Sequence, residues 1–183
     1  MLTIHEKRKA QWLPREETPE PESKGDLHPK KVMMWFFSDF KGIIWKEYLK
    51  EGTIITAQVY TRQLQKMAEK YSELRPERAK VLFLHDNAKP HTAKITKKKL
   101  EHLGWEILPH PPYSPDLAPT DHHLFRSLSN FLKEKSFDNF EQLKLEINTF
   151  FDSRSPDFYA KGILELPDRW SKVIDIEGEY LQD

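Results

Sequence analysis

Apolar residues fall along this chain in two patterns, short runs rich in β-formers and longer stretches with a helical period. Val32 to Phe37 is dense in β-forming side chains, and Ile43 to Leu49 follows after Asp-Phe-Lys-Gly. Asp39 and Gly42 supply turn chemistry, so the pattern predicts an antiparallel hairpin. Thr56 then stands where it can cap a helix in which Tyr60, Leu64, Met67, Tyr71 and Leu74 form one apolar face, ended by Arg75–Pro76. Val81 to Leu84 is a continuous apolar run too short for a helix, and it predicts a fully buried strand; Trp105 to Leu108 predicts a second.

Between those strands a helix is predicted from about His91 to Leu103. At about 100° per residue it gathers Ala93, Thr96, Leu100 and Leu103 on one face and Lys94, Lys97 and Lys98 on the other. Thr120 is the expected N-cap of the next helix, whose stripe is Leu124, Phe125, Leu128, Phe131 and Leu132. Asp121 falls at the azimuth of Leu124 and Leu128, so its carboxylate is expected to point inward, with His122, Arg126 and Lys133 pointing away. Asn139 caps a last long helix carrying Phe140, Leu143, Ile147, Phe150 and Phe151. Short segments at Phe158–Leu164 and Arg169–Ile174 are expected to pack over the sheet.

Composition narrows the class. The 183 residues suit one domain with a sizeable core, and 38% hydrophobic with 12% aromatic content is not a disordered composition. Lys+Arg and Asp+Glu both number 29, so net charge alone points to no nucleic-acid partner and local clustering must carry that case. There is no cysteine, which excludes disulfides and thiolate metal sites, and no apolar run of membrane-spanning length. Met1 to Ile4 reads as the end of a strand. Residues 14–31, with four prolines and no apolar period, read as a long loop that is either functional or a linker.

The candidate chemistry lies between residues 81 and 121. The first predicted strand delivers His85 and Asp86 to its carboxyl end, where open α/β sheets place their ligands. The loop after the second strand holds Pro109, Pro111, Pro112, Pro115 and Pro119, and such stiffening suits a loop that must hold Asp121 in place. Two carboxylates aimed at one spot repel unless a cation lies between them or one takes a proton. Taken singly, Asp86 reads as a turn cap and Asp121 as a first-turn helix acid; Asp116 reads as a turn residue. The lysine face is either a solvated surface or a track for a phosphate backbone. A zinc hydrolase using His85, Asp86, His91, His110, His122 and His123 is the weaker alternative, because adjacent His122 and His123 diverge on a helix and zinc-type spacing is absent.

Several motifs, in one order and at one spacing, are similar to the catalytic core of mariner-type DNA transposases. They are LHPKKVM at 27–33, HDNAKPH at 85–91, YSPDLAPTD at 113–121, HLF at 123–125, DFYAKGI at 157–163 and RW at 169–170, with thirty-four residues between Asp86 and Asp121. The resemblance implies an α/β, ribonuclease-H-like mixed sheet flanked by helices, and Mg²⁺- or Mn²⁺-dependent cleavage and transfer of DNA strands through a two-ion site. Asp86 and Asp121 then correspond to the second and third of three metal-binding acids. Asn87 and His91 are supporting residues, and Lys89, Lys94, Lys97 and Lys98 are candidates for DNA-backbone contact. DNA is the implied partner, the 14–31 loop an implied dimer contact, and the nucleus the implied location.

In the family the first acid lies on an opening strand, ahead of the point matching Met1, and neither Glu6 nor Asp26 matches that motif. The expectation is one truncated catalytic domain over 1–183, with the first, central strand largely missing, no helix-turn-helix region, and no activity on its own. The rival expectations are a non-catalytic DNA- or protein-binding remnant, part of a larger fusion, and a relic that does not fold stably.

Overall fold

The computed structural model describes residues 2–3, 31–49, 52–77, 80–133, 135–137 and 139–181. The predicted hairpin is its centre. Strand β2 (Lys31–Asp39) pairs antiparallel with β3 (Gly42–Leu49), and β1 (Leu2–Thr3) adds to the outer edge of β2. Asp39 makes the turn: its Oδ1 accepts the backbone N–H groups of Lys41 and Gly42 at 2.8 and 3.0 Å. Gly42 has φ 141°, a conformation that L side chains rarely adopt. The loop segment 14–30 lies outside the described residues.

Alternation along the hairpin supplies two cores. Phe36 turns to one side, where it joins Leu124, Leu128, Leu143, Ile147 and Phe151. Trp35, Phe37 and Ile44 turn to the other, against Tyr60, Leu64, Leu100 and Phe83. A period-two strand covered on both faces is apolar at successive positions, which is the pattern of residues 32–37. Helix α1 (Ala57–Leu74) covers the second face. It starts on the predicted cap, Thr56 Oγ1 accepting the Val59 N–H at 3.3 Å, and buries Tyr60, Leu64 and Met67. At its end Arg75 reaches back to the hairpin turn, Nε and Nη2 donating to the two oxygens of Asp39 at 2.7 and 3.0 Å.

Strand β4 (Leu82–Phe83) runs parallel to β5 (Glu106–Ile107). Only half of the burial expected for Val81–Leu84 is found: Phe83 is buried but Leu82 is 56% exposed, because among the described residues the helices cover one face of this pair. The helix expected from His91 to Leu103 is two helices, α2 (Lys89–Thr92) and α3 (Lys94–His102), separated by Ala93 in an extended conformation. The break is held by Thr96, whose buried hydroxyl donates to the Pro90 carbonyl at 2.6 Å. Past β5 come a short 3₁₀ turn (Pro115–Leu117), a π-helical turn (Thr120–Phe125) and α4 (Arg126–Leu132).

Helix α5 (Phe140–Asp152) begins on Asn139 as predicted, Oδ1 accepting the Gln142 N–H at 3.0 Å, and buries Leu143, Ile147, Phe150 and Phe151; Phe140 stays exposed. Helix α6 (Pro156–Leu164) reaches β2 and β3, whereas α7 (Leu166–Asp175) packs on the 3₁₀ turn instead of the sheet. No described helix is long and apolar enough to cross a membrane.

The Arg75–Asp39 pair joins α1 to the hairpin with side chains only 11% and 16% exposed. Asp39→Ala strands a shielded guanidinium and opens the turn, so it should destabilise the fold by about 3 kcal/mol. Urea unfolding of Asp39→Ala, Arg75→Ala and the double variant checks this; additive losses would refute the coupling.

Candidate active site

The carboxyl end of β4 carries His85 and Asp86, as predicted, and α2 folds His91 back over them. Asp86 Oδ1 accepts the Ala88 N–H at 2.9 Å and the His91 Nδ1–H at 2.5 Å. Burial acts to raise the Asp86 pKa, but the Ala88 N–H and the His91 ring outweigh it, and the carboxyl lies below its ordinary value. His91 thus bonds Asp86 directly. Asn87 acts at longer range. Its Nδ2 donates to the His110 carbonyl at 2.6 Å, tying the segment of the first acid to the loop that leads to the second.

Beneath the acids lies an aromatic floor. Tyr60 Oη is 2.9 Å from His85 Nδ1, the His85 and His91 rings stack at 5.3 Å, and Tyr60 packs on His91 at 4.1 Å and on Trp35 at 5.1 Å. Burial, then the Asp86 charge, pushes the Tyr60 phenol far up, so it stays protonated and shares its hydrogen bond with His85 Nδ1 as a neutral group. Burial together with the charges of His91 and His110 lowers His85 to about 4. Tyr60 had the signature of a core residue and His85 that of a strand end. Their contact spans 25 positions, and no local pattern announces it.

Asp121 departs from expectation. Leu124 and Leu128 are buried, but Asp121 is exposed, because residues 120–125 form a wide π turn and the three side chains do not share one azimuth. Nor does Thr120 cap the helix: it is the first residue of the turn, and no side chain caps it. Crowding of the Asp121 carboxyl by its surroundings, with a further push from Asp86, raises its pKa. His122, expected to point away, is half-buried and lines an open groove of about 500 Å³ together with Asp121 and Arg126. Asp116 is no mere turn residue: it is 5% exposed and lines the same groove.

The structure therefore brings Asp86 and Asp121 within electrostatic reach of one another and pushes their pKa values in opposite directions. Two carboxylates are hard oxygen donors of the kind that suit Mg²⁺ or Mn²⁺. Among the described residues, no group of three or more His, Asp or Glu side chains is placed to hold a metal ion. His122 and His123 have ring centroids 6.4 Å apart, and His123 Nε2 is bonded to the Phe158 carbonyl. Lys89, Lys94, Lys97 and Lys98 are all exposed, beginning three residues past Asp86.

The lowered His85 pKa has a measurable consequence. Between its unfolded value of 6.5 and about 4, the unfolded chain binds the proton first, so stability should fall as pH drops through that window. NMR titration of the ring should give a midpoint near 4, and a midpoint at 6.5 would exclude the Tyr60-bonded, neutral imidazole.

Comparison with known proteins fixes the family. A transposase profile, described as a partial DDE domain, matches residues 2–81. The chain is 44% identical over 183 residues to human histone-lysine N-methyltransferase SETMAR, and 42% identical over 157 residues to the Mos1 mariner transposase of Drosophila mauritiana. It spans 27% and 46% of the length of those two proteins. The structure of the Mos1 catalytic domain with raltegravir and Mn superposes with a TM-score of 0.80 at 41% identity, covering 84% of this chain and 78% of that one. The Mos1 paired-end complex with the left transposon end gives 0.84 at 39% identity, covering 96% and 52%. The fold is ribonuclease-H-like, and the chain belongs to the mariner transposase family, matching its catalytic domain.

Proposed function

We propose that this chain is a catalytic core for divalent-metal-dependent cleavage and transfer of DNA strands, with Asp86 and Asp121 as two of its metal ligands. The observation that carries this reading is the pair itself: two acids from separate elements, with the charge of Asp86 felt at Asp121, the pKa of the first lowered and that of the second raised. Repulsion of this kind is relieved by a cation. Mos1 structures with Mg, with Mn and with transposon-end DNA support the choice of metal and substrate.

The chain's own groups have separable roles in this scheme. The Ala88 N–H and the His91 ring both bond Asp86 Oδ1, which leaves Oδ2 to be presented to a metal. Asn87 fixes the distance between the two acid-bearing segments through His110. A bound Mg²⁺ or Mn²⁺ would supply an acidified water or 3′-hydroxyl and charge for the leaving oxygen. The lysines that begin at Lys89 would track the phosphate backbone. A second copy of the chain, contacted through residues 14–31, and a nuclear site of action complete the proposal.

A trio of acids is not found among the described residues, and we place the third ligand outside them. The same observation favours a second reading, in which the chain binds DNA or a protein partner without cutting. Asp86→Asn separates the two. It should weaken Mn²⁺ binding and abolish any Mn²⁺-dependent nicking of a labelled duplex, with DNA affinity barely changed. Nicking that survives Asp86→Asn removes Asp86 from the chemistry; a wild-type chain that binds DNA without nicking supports the second reading.

Charge reversal at Lys97 and Lys98 tests the backbone track separately. Each lost phosphate contact should lower the slope of log affinity against log salt by about 1. An unchanged slope in fluorescence anisotropy would return this face to the role of a solvated surface.

A further inference from the structure

The motifs HLF, DFYAKGI and RW play no part in the chemistry above, yet all three converge on the segment that carries Asp121. On one side, Arg169 Nε donates to the Asp116 carbonyl at 2.6 Å, and the Leu181 backbone N–H donates to Asp116 Oδ2 at 3.2 Å. Asp116 is 5% exposed, and its other oxygen, Oδ1, is buried with no hydrogen-bond partner. Burying a carboxylate is costly unless it is bonded, so this one leans on the N–H of the carboxyl-terminal tail. Tyr180 and Leu181 share a groove with Asp116 and Asp121.

On the other side, His123 Nε2–H donates to the Phe158 carbonyl at 2.7 Å, and its ring packs on Phe158 at 4.5 Å. A Cβ at Gly162 would lie 2.8 Å from His123 Cδ2 and 3.1 Å from its Cβ, so α6 meets the π turn at a distance only glycine permits. The π turn is an uncommon conformation, one that surrounding contacts must hold. On its outer side it meets α6, while Leu124 faces the Phe36 core; the 3₁₀ turn that leads into it is bonded by Arg169 and Leu181.

We propose that this carboxyl-terminal layer, α6, α7 and residues 179–181, is a positioning brace for Asp121, acting through Asp116 on one side and His123 on the other. Asp116 and His123 are positioning residues that touch no reacting atom. The proposal rests on Asp121 being a metal ligand, and it adds the device that sets where that ligand stands. It also accounts for a carboxylate buried five residues before an exposed one: the first anchors the loop, and the second is what the loop presents.

Leu181→Pro removes the N–H that bonds Asp116, whereas Leu181→Ala keeps it. The full chain is titrated with Mn²⁺ alone by calorimetry, and the amide signals of residues 120–125 are recorded without metal. Leu181→Pro and Asp116→Ala should weaken Mn²⁺ binding about ten- to a hundredfold and shift those amides, while Leu181→Ala and Asp116→Asn stay within about twofold. Gly162→Ala should reproduce the weakening from the His123 side, with melting temperature recorded to confirm a folded chain. Unmoved amides in Leu181→Pro overturn the brace, as does equal weakening in Leu181→Ala. A wild-type chain whose Mn²⁺ binding ignores Asp86→Asn defeats the metal reading instead, and the metal-free amide shifts still decide the brace.

Discussion

Two carboxylates within reach of each other's charge are the constraint on which this structure turns. Like charges would drift apart on a flexible chain, so each must be held by a scaffold stiffer than the repulsion between them. Asp86 is held by its own segment: the strand end, the Ala88 N–H and the His91 ring. Asp121 has no such local fixing. It follows a proline-rich loop tied to Asn87 at one end and to the carboxyl-terminal layer at the other. The asymmetry is one of range: residues 81–91 hold the first acid, whereas the segment of the second is bonded to Asn87, Arg169 and Leu181.

The hairpin makes this possible by being covered on both faces. One face seats α1, whose Tyr60 rises into the floor beneath Asp86; the other seats the helices that follow Asp121. Phe36 and Trp35, adjacent in sequence, therefore serve opposite halves of the site. The Tyr60–His85–His91 floor fixes ring orientations, with His85 Nδ1 bonded to Tyr60 and His91 Nδ1 to Asp86.

Elements with strong local grammar were legible from residues alone. Thr56 and Asn139 cap the helices they were expected to cap, and Asp39 with Gly42 makes the hairpin turn. The placement of His85 and Asp86 just past the end of β4 was legible too. What could not be read depends on contacts remote in sequence. The break at Ala93 answers to Thr96 bonding Pro90, the exposure of Asp121 to a π turn wedged against Gly162, and the burial of Asp116 to a tail N–H 65 positions away. A 100° wheel has no means of expressing any of these. Leu82 failed for a related reason, since an apolar run says that a strand suits burial but not that a neighbour covers it.

The neutrality of His85 bears on what the site can hold. Were the imidazole charged near pH 7, it would act as a built-in counter-ion and partly satisfy the acids from beneath. Burial and the neighbouring rings keep it neutral down to about pH 4, and the Tyr60 phenol at its Nδ1 contributes a hydrogen bond but no charge. The charges at the mouth of the site are then those of Asp86 and Asp121 with the imidazoles of His91 and His110 beside them. Such a field is relieved either by a proton on Asp121, toward which its raised pKa leans, or by a cation brought from solution. The neighbouring imidazoles offset part of the repulsion, and a multivalent cation would relax what remains.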